Sequence, residues 1–147
     1  MTERRLANIK DQISGLRGSV MKWSLIVHGI DVDKGVENCK LCNLFMYGEK
    51  DSPVNEIFDS SLSCLGCPVR EITRKEFCED TPYSDWLDHQ ELRHPDHFED
   101  GLLKVECPLC RKIAQEELMF LQRILENKIS NLKSILFNKF DKKELAF

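Results

Sequence analysis

Three Cys-x-x-Cys pairs, Cys39/Cys42, Cys64/Cys67 and Cys107/Cys110, with a single Cys78 between the second and third, constrain this chain more than any other feature. Such a pair closes a tight turn that presents two sulfurs to one metal ion, and zinc takes four ligands tetrahedrally from thiolate and imidazole. Seven cysteines is an odd number, so a fully disulfide-bonded monomer is excluded. The charged start Met1-Thr2-Glu3-Arg4-Arg5 leads into an amphipathic pattern and does not read as a secretory signal. No apolar run approaches the roughly 18 residues of a membrane span. The expectation is a cytoplasmic protein with reduced thiols, in which closely spaced pairs act as metal ligands.

Seven cysteines and one histidine make eight ligands, enough for two four-coordinate zinc ions. The expected set is Cys39, Cys42, Cys64, Cys67, Cys78, His89, Cys107 and Cys110. His89 is the preferred eighth ligand because the Pro82–His89 segment reads as an ordered helix; His94 and His97 lie in the same interval as alternatives. Pairing is not fixed by sequence. The leading grouping joins Cys39 and Cys42 with Cys107 and Cys110, and leaves Cys64, Cys67, Cys78 and a histidine for a second site. Closing a long loop removes the most chain entropy, which favours that grouping. Two alternatives are Cys39, Cys42, Cys64 and Cys67 together, and a cross-braced alternation. An iron–sulfur cluster is the rival cofactor, since clusters also take thiolates and Cys67-Pro68 matches the proline that follows a ferredoxin ligand. The compact run of ferredoxin pairs is absent.

The fold expected is mainly α, a helical frame around a metal-organised, cysteine-rich irregular region, with a small α+β arrangement as the alternative. One domain over 1–147 suits the length. Its parts are N-terminal helices over 1–29, the cysteine-rich region over 38–110 and a long C-terminal helix over 111–147. Leu6, Ile9 and Ile13 fall on one helical face, Gly15 and Gly18 then break or bend the path, and Ser19 opens a second helix ending at Gly29, with His28 in its last turn. Thr81-Pro82-Tyr83 starts a short helix. His94-Pro95-Asp96-His97 reads as a turn, and Leu102–Val105 as a strand. Ala114, Leu118, Leu121, Leu125, Ile129, Leu132, Leu136 and Phe140 form one wide apolar stripe, with a bend expected near Asn127–Asn131.

The net charge of −4 is unevenly placed: residues 1–28 carry +3, residues 29–106 carry −10 and residues 107–147 carry +3. An acidic centre repels phosphate backbones, so nucleic acid is disfavoured as a partner of the cysteine region. The expected partner is another protein, met by the loop Gly48–Ser63 or by the C-terminal helix, whose stripe also suits a homodimer.

Asn38-Cys39-Lys40-Leu41-Cys42-Asn43-Leu44-Phe45, Cys64-Leu65-Gly66-Cys67-Pro68-Val69, Cys78 with Thr81-Pro82-Tyr83 and Trp86, and Cys107-Pro108-Leu109-Cys110-Arg111-Lys112-Ile113-Ala114 together make a specific spacing. Over residues 19–125 it resembles an uncharacterised cysteine-rich family of phage, prophage and archaeal genomes. Thr73 is followed here by Arg74, where that family commonly has glycine. The resemblance implies a shared cysteine framework and a prokaryotic or phage-infected cytoplasm, and it carries no function.

Enzymatic readings fit poorly. His89-Gln90-Glu91 with Cys107-Pro108-Leu109-Cys110 is similar to a zinc deaminase motif, but the proline falls inside the pair and no alternating strand–helix pattern surrounds it. A homing-type nuclease lacks its later Asn and His. A thioredoxin-like site wants a strand–helix setting. The expectation is a small zinc protein with a non-enzymatic binding or adaptor role; the alternative is an iron–sulfur or metal-dependent enzyme or redox protein.

Overall fold

The computed structural model describes residues 3–45, 67–75 and 78–144. The architecture is mainly helical, in the order α1 (Glu3–Val27), a 3-10 turn (Gly35–Asn38), α2 (Lys40–Phe45), α3 (Pro68–Thr73), α4 (Pro82–Arg93), α5 (Pro95–Asp100) and α6 (Pro108–Glu144). No strand occurs among the described residues. The segment expected to be a strand contributes one antiparallel bridge, Asp33 to Leu103. The loop Gly48–Ser63 lies outside the described residues.

Gly15 and Gly18 do not end α1, which is one helix where two were expected. They serve close packing instead: a Cβ on Gly15 would sit 2.7 Å from Leu41 Cδ2, and one on Gly18 2.5 Å from Lys40 Cδ. Helix α1 stops at Gly29, in the left-handed region at φ 72°. The Gly29 N–H donates to Ile26 O and the Ile30 N–H to Leu25 O, so the last carbonyls are satisfied in a Schellman arrangement. His28 lies just past the helix, its Nδ1 2.7 Å from Ser24 O.

Helices α1 and α6 run antiparallel. Arg111 Nε, in the first turn of α6, donates to Val27 O at the end of α1, whereas Gln12 and Lys128 meet through Glu71 at the far end. Leu16, Trp23, Ile26, Ile113, Ala114, Leu121 and Ile124 fill the seam. Helix α6 is unbroken through Asn127–Asn131, where a bend was expected, and runs for 37 residues, about 55 Å at ~1.5 Å per residue. Helix α4 lies across this pair, with Trp86 fully buried and edge-on to Trp23 at 5.2 Å. Thr81 caps α4 by accepting from Tyr83 N, and Pro82 occupies its first turn. The expected turn at His94–His97 is instead the junction to α5, because Pro95 ends α4 and is itself suited to a helix start.

Candidate metal centre

Cys107 stands immediately before α6 and Cys110 in its first turn. The Cys110 backbone N–H donates to Cys107 Sγ at 3.3 Å, and the two sulfurs are 3.3 Å apart. Above them, α4 delivers His89, whose Nε2 is 3.3 Å from Cys107 Sγ. The α4–α5 junction delivers His94, edge-on to His89 with ring centroids 5.3 Å apart. One ligand atom from each of His89, His94, Cys107 and Cys110 lies within 4.8 Å of all the others.

These separations fit one ion. Bonds of ~2.3 Å to sulfur and ~2.1 Å to nitrogen in a tetrahedron give edges of about 3.4–3.8 Å, close to the two sulfur contacts at 3.3 Å and inside the 4.8 Å limit of the set. His94 Nε2 is buried with no hydrogen-bond partner. An orphaned imidazole nitrogen beside two thiols is costly unless something binds it, and a metal ion is what this donor set suits. Burial opposes ionisation of the Cys107 thiol, but the Cys110 N–H, the neighbouring His94 ring, the Cys110 thiol and the His89 ring outweigh it and lower the thiol to about 6. Burial pushes the Cys110 thiol up. The resting pair is therefore poised as one thiolate and one thiol, and metal binding would release the second proton.

A second group, His94, His97 and Glu106, shares His94 with the first. Its other members are occupied by protein contacts. The fully buried Gln90 donates through Nε2 to Lys104 O at 3.0 Å and to Cys110 Sγ at 3.4 Å. Its Oε1 accepts from His97 Nδ1 at 2.9 Å. His97 Nε2 is 3.1 Å from Glu106, which also pairs with Lys104. Lys104 and then His97 hold the Glu106 carboxyl below its usual range. His97 and Gln90 thus support the sulfur of Cys110 from behind, as residues around a metal site commonly do.

The grouping differs from the leading expectation. Cys107 and Cys110 meet two histidines, His89 and His94, not Cys39 and Cys42. The α4–α5 corner docks on the start of α6 and brings both histidines there together. Cys39 and Cys42 sit at the start of α2, where the Cys42 N–H donates to Cys39 Sγ at 3.3 Å, the same local turn as at Cys107. The Cys42 thiol, opposed by burial and helped by the Cys42 N–H and Lys22, lowers the Cys39 thiol to about 6. Cys67 is the buried N-cap residue of α3. Cys78 adopts φ 61°, and its carbonyl accepts from the hydroxyls of Thr81 and Ser84. Cys64 lies outside the described residues. Gln90 carried no signal in the sequence: a glutamine on a helix is usually a surface residue.

No family model, no curated protein and no solved structure matches this chain. No helix among the described residues is long and apolar enough to cross a membrane.

Proposed function

We propose that this chain is a metal-organised binding protein with no catalytic role, in which zinc held by His89, His94, Cys107 and Cys110 locks the α4–α5 corner onto α6. The observation that carries this reading is the compact set of two sulfurs and two nitrogens with an orphaned His94 Nε2 at its edge. Four protein ligands leave no open position for substrate, which is the pattern of structural zinc. A Rieske-type cluster also uses two cysteines and two histidines, but on different irons. The 3.3 Å between His89 Nε2 and Cys107 Sγ favours a single ion. Cys39, Cys42, Cys64, Cys67 and Cys78 would supply a second zinc. Structural zinc contributes roughly 10–16 kcal/mol of apparent binding energy, against the roughly 5–15 kcal/mol net stability of a whole domain. The polar centre of the chain would then owe its order to metal. The setting is a prokaryotic or phage-infected cytoplasm, and the partner is another protein.

Metal analysis and an absorbance spectrum on protein purified without oxygen test this. Zinc in a colourless protein, about two ions per chain if both sets are filled, is the expected result. Iron with broad visible absorbance would replace the reading with a cluster.

A further inference from the structure

Helices α1 and α6 leave a groove on each side of their seam, and the two grooves differ in charge. On one side α3 crosses over, and its Glu71 accepts from Gln12 and pairs with Lys128, so the charges there are matched within the protein. The other side is an open groove of about 590 Å³. Its floor is apolar, made by Ile13, Ile129, Leu132 and Leu136. Its rim is cationic, made by Lys10, Arg17, Lys40 and Lys133. None of these four cations forms an ion pair or side-chain hydrogen bond among the described residues. Among the described residues, no carboxylate lines the groove.

The fold holds this arrangement in place. The stem of Lys40 lies against Gly18, close enough that a Cβ there would overlap it, so the start of α2 fixes one cation at the groove edge. Lys10 and Arg17 are seven residues apart on α1, as are Ile129 and Leu136 on α6, so both walls repeat with the helical period. A groove with that repeat accepts a third helix through anchors spaced i, i+3/i+4, i+7.

We propose that this groove docks an amphipathic helix of a partner protein whose apolar stripe is flanked by Asp and Glu. The proposal rests on reading the chain as a binding protein and names the chemistry of its partner. Charge complementarity selects the occupant. A second copy using the same groove across a two-fold axis would set four cations against four more, which is unfavourable. An acidic flank on each side of the stripe instead gives all four cations a counter-charge while the stripe covers the apolar floor.

The test uses full-length, zinc-loaded protein and a fluorescent synthetic helix carrying leucines at i, i+3, i+4 and i+7 with glutamates flanking them. A second probe keeps the leucines and replaces glutamate with lysine. Saturable binding of the glutamate helix, loss of roughly tenfold or more in affinity in Arg17→Glu/Lys133→Glu, weakening with salt and no binding of the lysine helix are expected. The variant Lys10→Gln/Lys133→Gln, a milder change at exposed positions, should weaken binding in the same direction. Metal content measured on each sample reports whether the fold is intact. The proposal is overturned if wild-type protein binds neither helix or both equally, or if charge reversal leaves affinity unchanged. Displacement of the helix by phosphatidylglycerol vesicles at lower concentration would overturn it in favour of a membrane surface. A dimer in light scattering that the same reversal dissolves would overturn it in favour of self-association. Failure of the helix to bind zinc-replete protein removes the groove and leaves the metal reading intact; absence of zinc from wild-type protein does the reverse.

Discussion

Lys22 and Asp33 are both buried, and their ion pair at 2.7 Å is joined by Trp86 Nε1, which donates to the other carboxylate oxygen at 3.1 Å, and by Gly35 N at 2.9 Å. Removing one partner of such a pair leaves a buried charge uncompensated, which costs about 3–5 kcal/mol. Lys22→Met should therefore lower the urea midpoint strongly, and adding Asp33→Asn should restore part of it, because the neutral amide leaves no buried charge uncompensated and its one oxygen still accepts from either Trp86 or Gly35. A Lys22→Met variant as stable as wild type would contradict this account of the core. Glu117 is the second buried carboxyl, with one oxygen lacking a partner. Burial, and then the Cys39 thiolate, push it from 4.5 to about 8. The native state thus keeps a proton that the unfolded chain loses near its ordinary carboxylate value. Glu117 favours folding below that value, and the benefit fades as pH rises towards about 8, at no more than ~1.4 kcal/mol per pH unit. Unfolding titrations of wild type and Glu117→Gln between pH 5 and 8 should show the variant gaining on wild type as pH rises; parallel curves would remove this assignment. None of these pairings was legible in the sequence. Glu117 falls between Ala114 and Leu121 on the apolar stripe, but a polar residue on a stripe does not announce whether it is buried.

At the scale of elements, the helical frame was legible because it follows from local signals: the 3.6-residue stripe of α6, the Thr81-Pro82 start of α4 and the Gly29 stop of α1. What the sequence hid were consequences of packing. Gly15 and Gly18 have the composition of a helix break, yet α1 continues through them because α2 needs the space a side chain would fill. The two differ in what they face. Gly15 meets Leu41, which is buried and cannot swing aside, whereas Gly18 meets the flexible stem of the exposed Lys40. Gly15→Ala should cost about 1–3 kcal/mol as an overpacked contact. Gly18→Ala should be nearly neutral, the roughly 0.5–1 kcal/mol gain in helix propensity offsetting the displaced lysine. Thermal melts of the two variants check this, and equal effects would contradict it. Similarly, His94-Pro95-Asp96-His97 has the local chemistry of a turn. Only the docking of α4–α5 on α6 shows that the proline both ends one helix and opens the next, and so turns His94 towards the cysteines.

For the molecule as a whole, composition pointed to metal and location pointed to the wrong partners. The three Cys-x-x-Cys pairs marked Cys107 and Cys110 as candidate ligands, and the structure groups them with His89 and His94 in a set that could hold a metal ion. Loop-closure reasoning then favoured joining them to Cys39 and Cys42, because it counts chain entropy and knows nothing of helix packing. The packing of α4 on α6 places two histidines there first. A metal held there would clamp the acidic middle to the basic C-terminal helix, tying the corner that carries Asp96, Glu99 and Asp100 to the frame whose open side carries the cationic groove. The central claim is that His94, not His97, completes the metal set. Zinc content of protein purified without oxygen tests it most directly in His94→Ala and His97→Ala compared with wild type. The account predicts that His94→Ala loses an ion per chain and His97→Ala retains it. Equal zinc in His94→Ala and wild type, or loss of the ion in His97→Ala alone, would contradict it.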